Sequence, residues 1–215
     1  MSRVSAILEG VAKVDRRERE RAEFREEVLA AARKIVLKEG FGALTMRKIA
    51  DAIEYAPGTI YLYFESRDAI AFELCRAGFE RFLTALAPAA AIADPAERLR
   101  DLGRRYVRFG TEHPETYRLI FMEDPKYSSE AFQEHAEAPD SPGKQALGIL
   151  VALFDELRKA KRLKIDAGSQ ALAEMIWAGV HGIVSLKIMY HEYPQTPAQG
   201  LLDAFTDTLI GGLIK

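Results

Sequence analysis

Cysteine occurs once, at Cys75. One thiol cannot close an internal disulfide or build a thiolate metal site, and it fits a reducing cytoplasm. Neither sign of charge is in excess: 30 Lys+Arg stand against 32 Asp+Glu, a formal net charge of -2. Bulk charge therefore gives no support to nucleic-acid binding; any such contact must come from a few well-placed cations and helix dipoles. Residues 1–75 repeat the balance, with 13 Lys+Arg and 13 Asp+Glu. Histidine is scarce, at 113, 135, 181 and 191, and never in H-x-x-x-H or H-E-x-x-H spacing. G-x-S-x-G and a phosphate-cradling glycine loop are both missing. No metal, no cofactor and no catalytic residue is expected from this pattern. No signal-peptide pattern opens the chain. The longest apolar-leaning run, 171–190, is interrupted by Glu174, His181 and Lys187, so it reads as a buried helix rather than a membrane span.

What is there is helical periodicity. The stretch 45–67, TMRKIADAIEYAPGTIYLYFESR, reads as two short helices joined by a tight turn. Met46, Ile49, Ala50 and Ile53 form an apolar face at helical spacing. Thr45 can cap the first helix, and Pro57 can open the second, where its missing N–H is not needed. Ile60 and Phe64 face the core, four residues apart. Gly58, Thr59, Tyr61, Leu62 and Tyr63 are left for an outer face with hydroxyls and no acid, suited to the DNA major groove.

These residues resemble the helix-turn-helix of the TetR family of bacterial repressors. The resemblance rests on T-x-x-x-I-A at Thr45, Ile49 and Ala50, then G-T-x-Y-x-Y-F at Gly58, Thr59, Tyr61, Tyr63 and Phe64, then a basic residue, Arg67. The family usually has glycine where this chain has Glu54, and a small capping residue where it has Ala56. Glu54 predicts a turn without positive φ, and Pro57 offsets the cap. The resemblance implies DNA contacts from Thr45, Arg47, Lys48, Pro57, Gly58, Thr59, Tyr61, Leu62, Tyr63 and Arg67. Arg47 would reach a base edge or a phosphate, since arginine can pair with guanine through two bonds. Thr45, Thr59 and Arg67 would hold phosphate, which positions rather than specifies. Tyr61 and Tyr63 would touch phosphate or thymine methyls, unless one of them is a core aromatic.

Around this motif the expected order is all-α. Residues 1–21 form a charged extension, read either as a solvated continuation of the first helix, through pairs such as Asp15 with Arg19, or as an arm whose Arg16, Arg17, Arg19 or Arg21 touches DNA. Residues 22–70 form the DNA-binding domain. Its first helix, 22–39, buries Phe24, Val28, Ala31 and Ile35, and Gly40 stops it. Residues 71–215 form a ligand-binding and dimerisation domain. Helices are expected at 67–86, with Ser66 as cap and two apolar faces, and at 95–112, 114–122, 143–160, 169–190 and 197–214. An acidic, proline-containing connection is expected at 123–142.

The last two helices carry more apolar surface than one chain easily buries. Ile176, Gly179, Ile183, Leu201, Phe205 and Leu209 are the candidate interface of a homodimer packed as a four-helix bundle. Trp177, His181 and Gly182 also resemble the W-x-x-x-H-G signature in one branch of TetR C-terminal domains. An effector pocket for an apolar or aromatic molecule is expected from Tyr106, Phe109, Tyr117, Phe121, Met122, Phe154, Trp177 and His181, although many of these must be core. The implied protein is a ligand-responsive transcriptional regulator, a repressor that binds a palindromic double-stranded DNA operator and has no membrane partner. The alternative is a helical small-molecule-binding protein or enzyme that no longer reads DNA. Glu54 and the neutral charge keep that alternative open.

Overall fold

The computed structural model describes the backbone of residues 3–123, 142–190, 192 and 194–215, and side chains from residue 16 onward. The expected connection at 123–142, His135, His191 and the Asp15 side chain lie outside the described residues, apart from Glu123 and Pro142. Nine α-helices are described: α1 Arg3–Glu39, α2 Met46–Ala52, α3 Pro57–Tyr61, α4 Arg67–Leu86, α5 Pro95–Glu112, α6 Pro114–Phe121, α7 Pro142–Lys159, α8 Ser169–Met189 and α9 Ala198–Leu213. Short 3-10 turns cover Phe41–Ala43 and Ala87–Ala91. An isolated bridge between Leu163 and Ile214 is the only extended pairing among the described residues. The chain divides into two compact units, Met1–Leu74 and Cys75–Lys215.

In the first unit α1 runs unbroken for 37 residues, so the charged extension continues the helix rather than forming an irregular arm. An Arg16–Glu20 pair at 3.0 Å supports it one turn apart. The buried stripe holds Phe24, Val28, Ala31, Ala32 and Val36, while Ile35 is only half-buried. Gly40, at φ 77°, ends α1 with its N–H on the Val36 carbonyl at 2.7 Å. Phe41 and Leu44 then plug the space against Ile49, Ala50 and Ile60, all nearly inaccessible to solvent. The Thr45 hydroxyl accepts the Lys48 N–H at 3.1 Å, as a cap should.

The turn between α2 and α3 departs from the sequence expectation. Glu54 takes φ 60°. The reason lies in the backbone bonds at the end of α2. The Tyr55 N–H reaches back to the Ala50 carbonyl at 3.0 Å, and that six-residue closure needs one left-handed residue just past the helix. The tight reversal decides the conformation, and the side chain accepts its cost. Lys161 repeats the device after α7: at φ 53° it lets the Arg162 N–H bond to the Leu157 carbonyl at 2.9 Å.

The second unit packs α8 against α5, α7 and α9. Leu172, Ala173, Val180 and Val184 bury the inner side of α8, the one described helix long and apolar enough to cross a membrane by length and composition. Small residues set the helix spacings. A Cβ on Gly110 would lie 2.3 Å from a Val184 methyl, and one on Gly179 2.0 Å from the Phe205 ring. Asp94 caps α5 by accepting the Ala96 and Glu97 N–H groups, and Arg162 pairs with its other oxygen at 2.6 Å.

Candidate functional site

The first candidate surface is the exposed side of α2 and α3. Ile60 and Phe64 pin α3 to the core, which turns Pro57, Gly58, Tyr61 and Leu62 outward and leaves Thr59 and Tyr63 half-exposed. Leu62 is 74% exposed. A shallow groove brings together Thr45, Met46, Arg47, Tyr61, Glu65, Ser66 and Arg67. Four of the ten predicted residues, Thr45, Arg47, Tyr61 and Arg67, meet in this groove, and the predicted cations differ in their freedom. Arg47 stands out in solvent, 3.9 Å from Asp51. Lys48 is held by Glu39 at 2.7 Å, and this partner keeps the Glu39 carboxyl below the usual carboxylate range. Arg67 is tied to Asp68 at 3.1 Å and to the Leu44 carbonyl at 3.3 Å, so it braces the loop before α2. Tyr63 packs its ring against Phe24 at a 45° tilt, with centroids 4.5 Å apart, and is partly a core aromatic.

The second candidate site is an apolar cavity inside Cys75–Lys215. Five helices supply the walls, α6 through Phe121 alone: Phe79, Phe82 and Leu86 from α4; Leu99, Leu102, Gly103 and Tyr106 from α5; Ala146, Leu147 and Leu150 from α7; Ile176, Trp177 and Val180 from α8. Phe121, Gly143 and Ile149 complete it. No wall residue is ionisable except Tyr106, and burial pushes that phenol well above its ordinary value.

Of the eight residues expected in an effector pocket, Tyr106, Phe121 and Trp177 line this cavity. Phe109, Tyr117 and Phe154 are core: each is at most 4% exposed and faces other side chains. Met122 is half-buried just past the end of α6, and it and His181 also lie off the wall. Ile176, expected at a dimer interface, is instead a wall residue. The α4 and α7 walls were not foreseen. Their signal was present, since Phe79, Phe82 and Leu86 recur at helical spacing, but such a stripe reads equally as core.

Behind the wall a hydrogen-bonded series joins three helices. The Trp177 indole N–H can only donate, and it donates to the Tyr106 oxygen at 3.2 Å. Tyr106 and Tyr117 hydroxyls are 2.9 Å apart, and the Tyr117 hydroxyl is 2.6 Å from His181 Nδ1. Either hydroxyl can donate in the Tyr106–Tyr117 bond, Tyr106 also stands 3.4 Å from His181 Nδ1, and the roles at the imidazole follow its tautomer. Burial holds the His181 pKa below its ordinary value, which favours the neutral ring. The series leaves no buried side-chain polar atom without a partner among the described residues.

Comparison with known proteins gives matches over both units. Residues 28–74 match the family of bacterial regulatory proteins, tetR family. Residues 99–210 match the tetracyclin repressor-like C-terminal domain. A relative from Haemophilus influenzae, an uncharacterized HTH-type transcriptional regulator, is 33% identical over 61 residues, which is 28% of this chain and 33% of that protein. The chain thus spans about a third of the length of that curated relative. Several solved structures share the fold. The transcriptional regulator FadR from Bacillus subtilis in complex with stearoyl-CoA has a TM-score of 0.70 at 19% identity, covering 87% of this chain and 98% of that one. The ketosteroid transcriptional regulator KstR2 of Mycobacterium tuberculosis has a TM-score of 0.62 at 23% identity, covering 89% and 95%. A protein of unknown function from Rhodococcus sp. RHA1 has a TM-score of 0.69 at 23% identity, again covering 89% and 95%.

Proposed function

Because the chain belongs to the TetR family of bacterial transcriptional regulators, we propose that it is a cytoplasmic repressor that binds a palindromic operator as a homodimer and is released by a small apolar molecule. The observation that carries this reading is the cavity wall, which is hydrocarbon and aromatic on every side and has no charged group. A site of that kind takes apolar area and excludes an ionised head. The FadR structure of the same fold is a complex with stearoyl-CoA, and an acyl chain is consistent with such a wall. Membership of the W-x-x-x-H-G branch is part of the proposal, supported by Trp177 and His181 meeting through Tyr106 and Tyr117. No catalytic step and no membrane contact belong to it.

On the DNA side, α3 would enter the major groove with Gly58, Thr59, Tyr61 and Leu62 leading, while Arg47 reaches a base or phosphate from α2. Thr45 and Lys48 would lie against phosphate. Two such heads must sit about one DNA turn apart, roughly 34–36 Å, and ligand binding would favour a different spacing.

The dimer face is proposed on an exposed stripe of α8. Met175, Leu186 and Met189 are 40%, 39% and 57% exposed, with Ala178 and Gly182 between them. Leu201, Phe205 and Leu209 of α9 remain half-exposed candidates, whereas Ile176, Gly179 and Ile183 are already covered within the chain.

The test is selection from random-sequence DNA by the full chain, followed by titration of the selected duplex with an uncharged long-chain acyl ester and with a steroid ketone. A palindrome should be enriched and then released by one of the two probes. No enrichment, or enrichment untouched by any apolar probe, overturns the reading.

A further inference from the structure

One guanidinium joins α1, the residues just past α3 and the start of α4. Arg25, on α1, donates through Nη1 to the Tyr63 carbonyl at 2.6 Å. Its Nη2 donates to the Glu73 carboxylate of α4 in a short bond. Its Cζ lies 4.2 Å over the Phe64 ring. Tyr63 lies just past the end of α3, where helix carbonyls have no partner of their own. Both side chains of the ion pair are largely withdrawn from solvent, 31% and 24% exposed. The neighbouring turn of α1 supports the same segment, with Phe24 against Tyr55 and Tyr63 and the Arg21 guanidinium over the Tyr63 ring.

We infer that Arg25 is the positioning residue that fixes the attitude of α3 to α4, through one planar fork held between the Tyr63 carbonyl, the Phe64 ring and the Glu73 carboxylate. This inference rests on the DNA-reading role proposed above. Arginine is required because its donors diverge in one plane while the face of that plane stacks; an ammonium cannot satisfy both acceptors and the ring at once. Glu73 lies two turns into α4, so an axial shift of α4 moves one arm of the fork. The other arm then tilts the end of α3. Arg25 itself makes no contact with DNA in this scheme.

The test compares wild type, Arg25→Lys, Glu73→Gln and the double variant, all as full-length chains on the duplex selected by wild type. Lysine keeps the charge, so binding to random DNA and its salt slope should stay as in wild type. Affinity for the selected duplex should fall roughly tenfold, comparable to losing one good base contact. Glu73→Gln should show a similar loss, and the double variant should be little worse than either, because one linkage is being broken. Hydrogen exchange without DNA supplies a second arm: protection should fall at residues 61–66 while the α1 core stays protected. Unchanged specific affinity with unchanged exchange overturns the inference. So does an equal fall on random DNA with a shallower salt slope, which would make Arg25 a phosphate contact. A loss that follows melting temperature, with exchange rising throughout the unit, would reduce the residue to a structural one. If wild type selects no sequence, the DNA-reading role fails; selective loss of protection at 61–66 then still supports the linkage, and its absence sinks that too.

Discussion

At φ 60°, the Glu54 Cβ is driven toward the following carbonyl oxygen, a crowding that costs an L-residue about 1–2 kcal/mol. The closure of α2 on Tyr55 demands that geometry whatever residue occupies the position. Glu54→Gly should therefore stabilise the chain, by about 0.5–1 kcal/mol after glycine's greater unfolded freedom is subtracted. Denaturant midpoints of the two proteins check this, and a destabilised glycine variant would mean that the Glu54 side chain makes a contact worth more than the strain. His181 offers a second residue-level test. Its pKa is lowered in the fold, so the unfolded chain takes up a proton first as pH falls. The contribution is fully present above the ordinary histidine value of about 6.5 and is lost as pH falls through the lower folded value. Melting temperature should drop more steeply on acidification for wild type than for His181→Gln, which keeps an acceptor for Tyr117 but cannot titrate. Parallel curves would show that the fold does not lower the His181 pKa.

Helices with a strong stripe and a marked start were legible in the sequence. The 67–86 and 95–112 helices have Ser66 and Asp94 as caps, and the structure shows both side chains accepting backbone N–H groups. Helix α3 was legible for another reason: Pro57 opens it, and only Ile60 and Phe64 can face inward. The cavity was less legible. Periodicity reports which side of a helix is apolar, but not whether the facing helix closes on that side or stands off from it. Phe79, Phe82 and Leu86 border space, while Phe109, Tyr117 and Phe154 border atoms, and the two sets are alike in composition. The same ambiguity shifted the outer stripe of α8 by about one residue. Gly179 suggested a close approach between chains, yet the ring it admits is Phe205 of its own chain.

For the whole molecule, that shift changes which substitution is informative. An arginine at 179 would collide with Phe205 inside one chain and says nothing about assembly. Leu186→Glu places a charge on the exposed stripe without disturbing the core. It should give a folded monomer in sedimentation, with operator affinity reduced by about two orders of magnitude once the two heads are unlinked. An intact dimer at micromolar concentration would move the interface away from α8. The cations of the reading surface sit beside acids, Lys48 on Glu39, Arg67 on Asp68 and Arg47 near Asp51. On the proposed reading each acid would repel a phosphate that its neighbour attracts, so random DNA should hold the chain weakly. The search should then run by short hops through solution rather than by long slides. A salt slope on random DNA as steep as on the selected duplex would sink this.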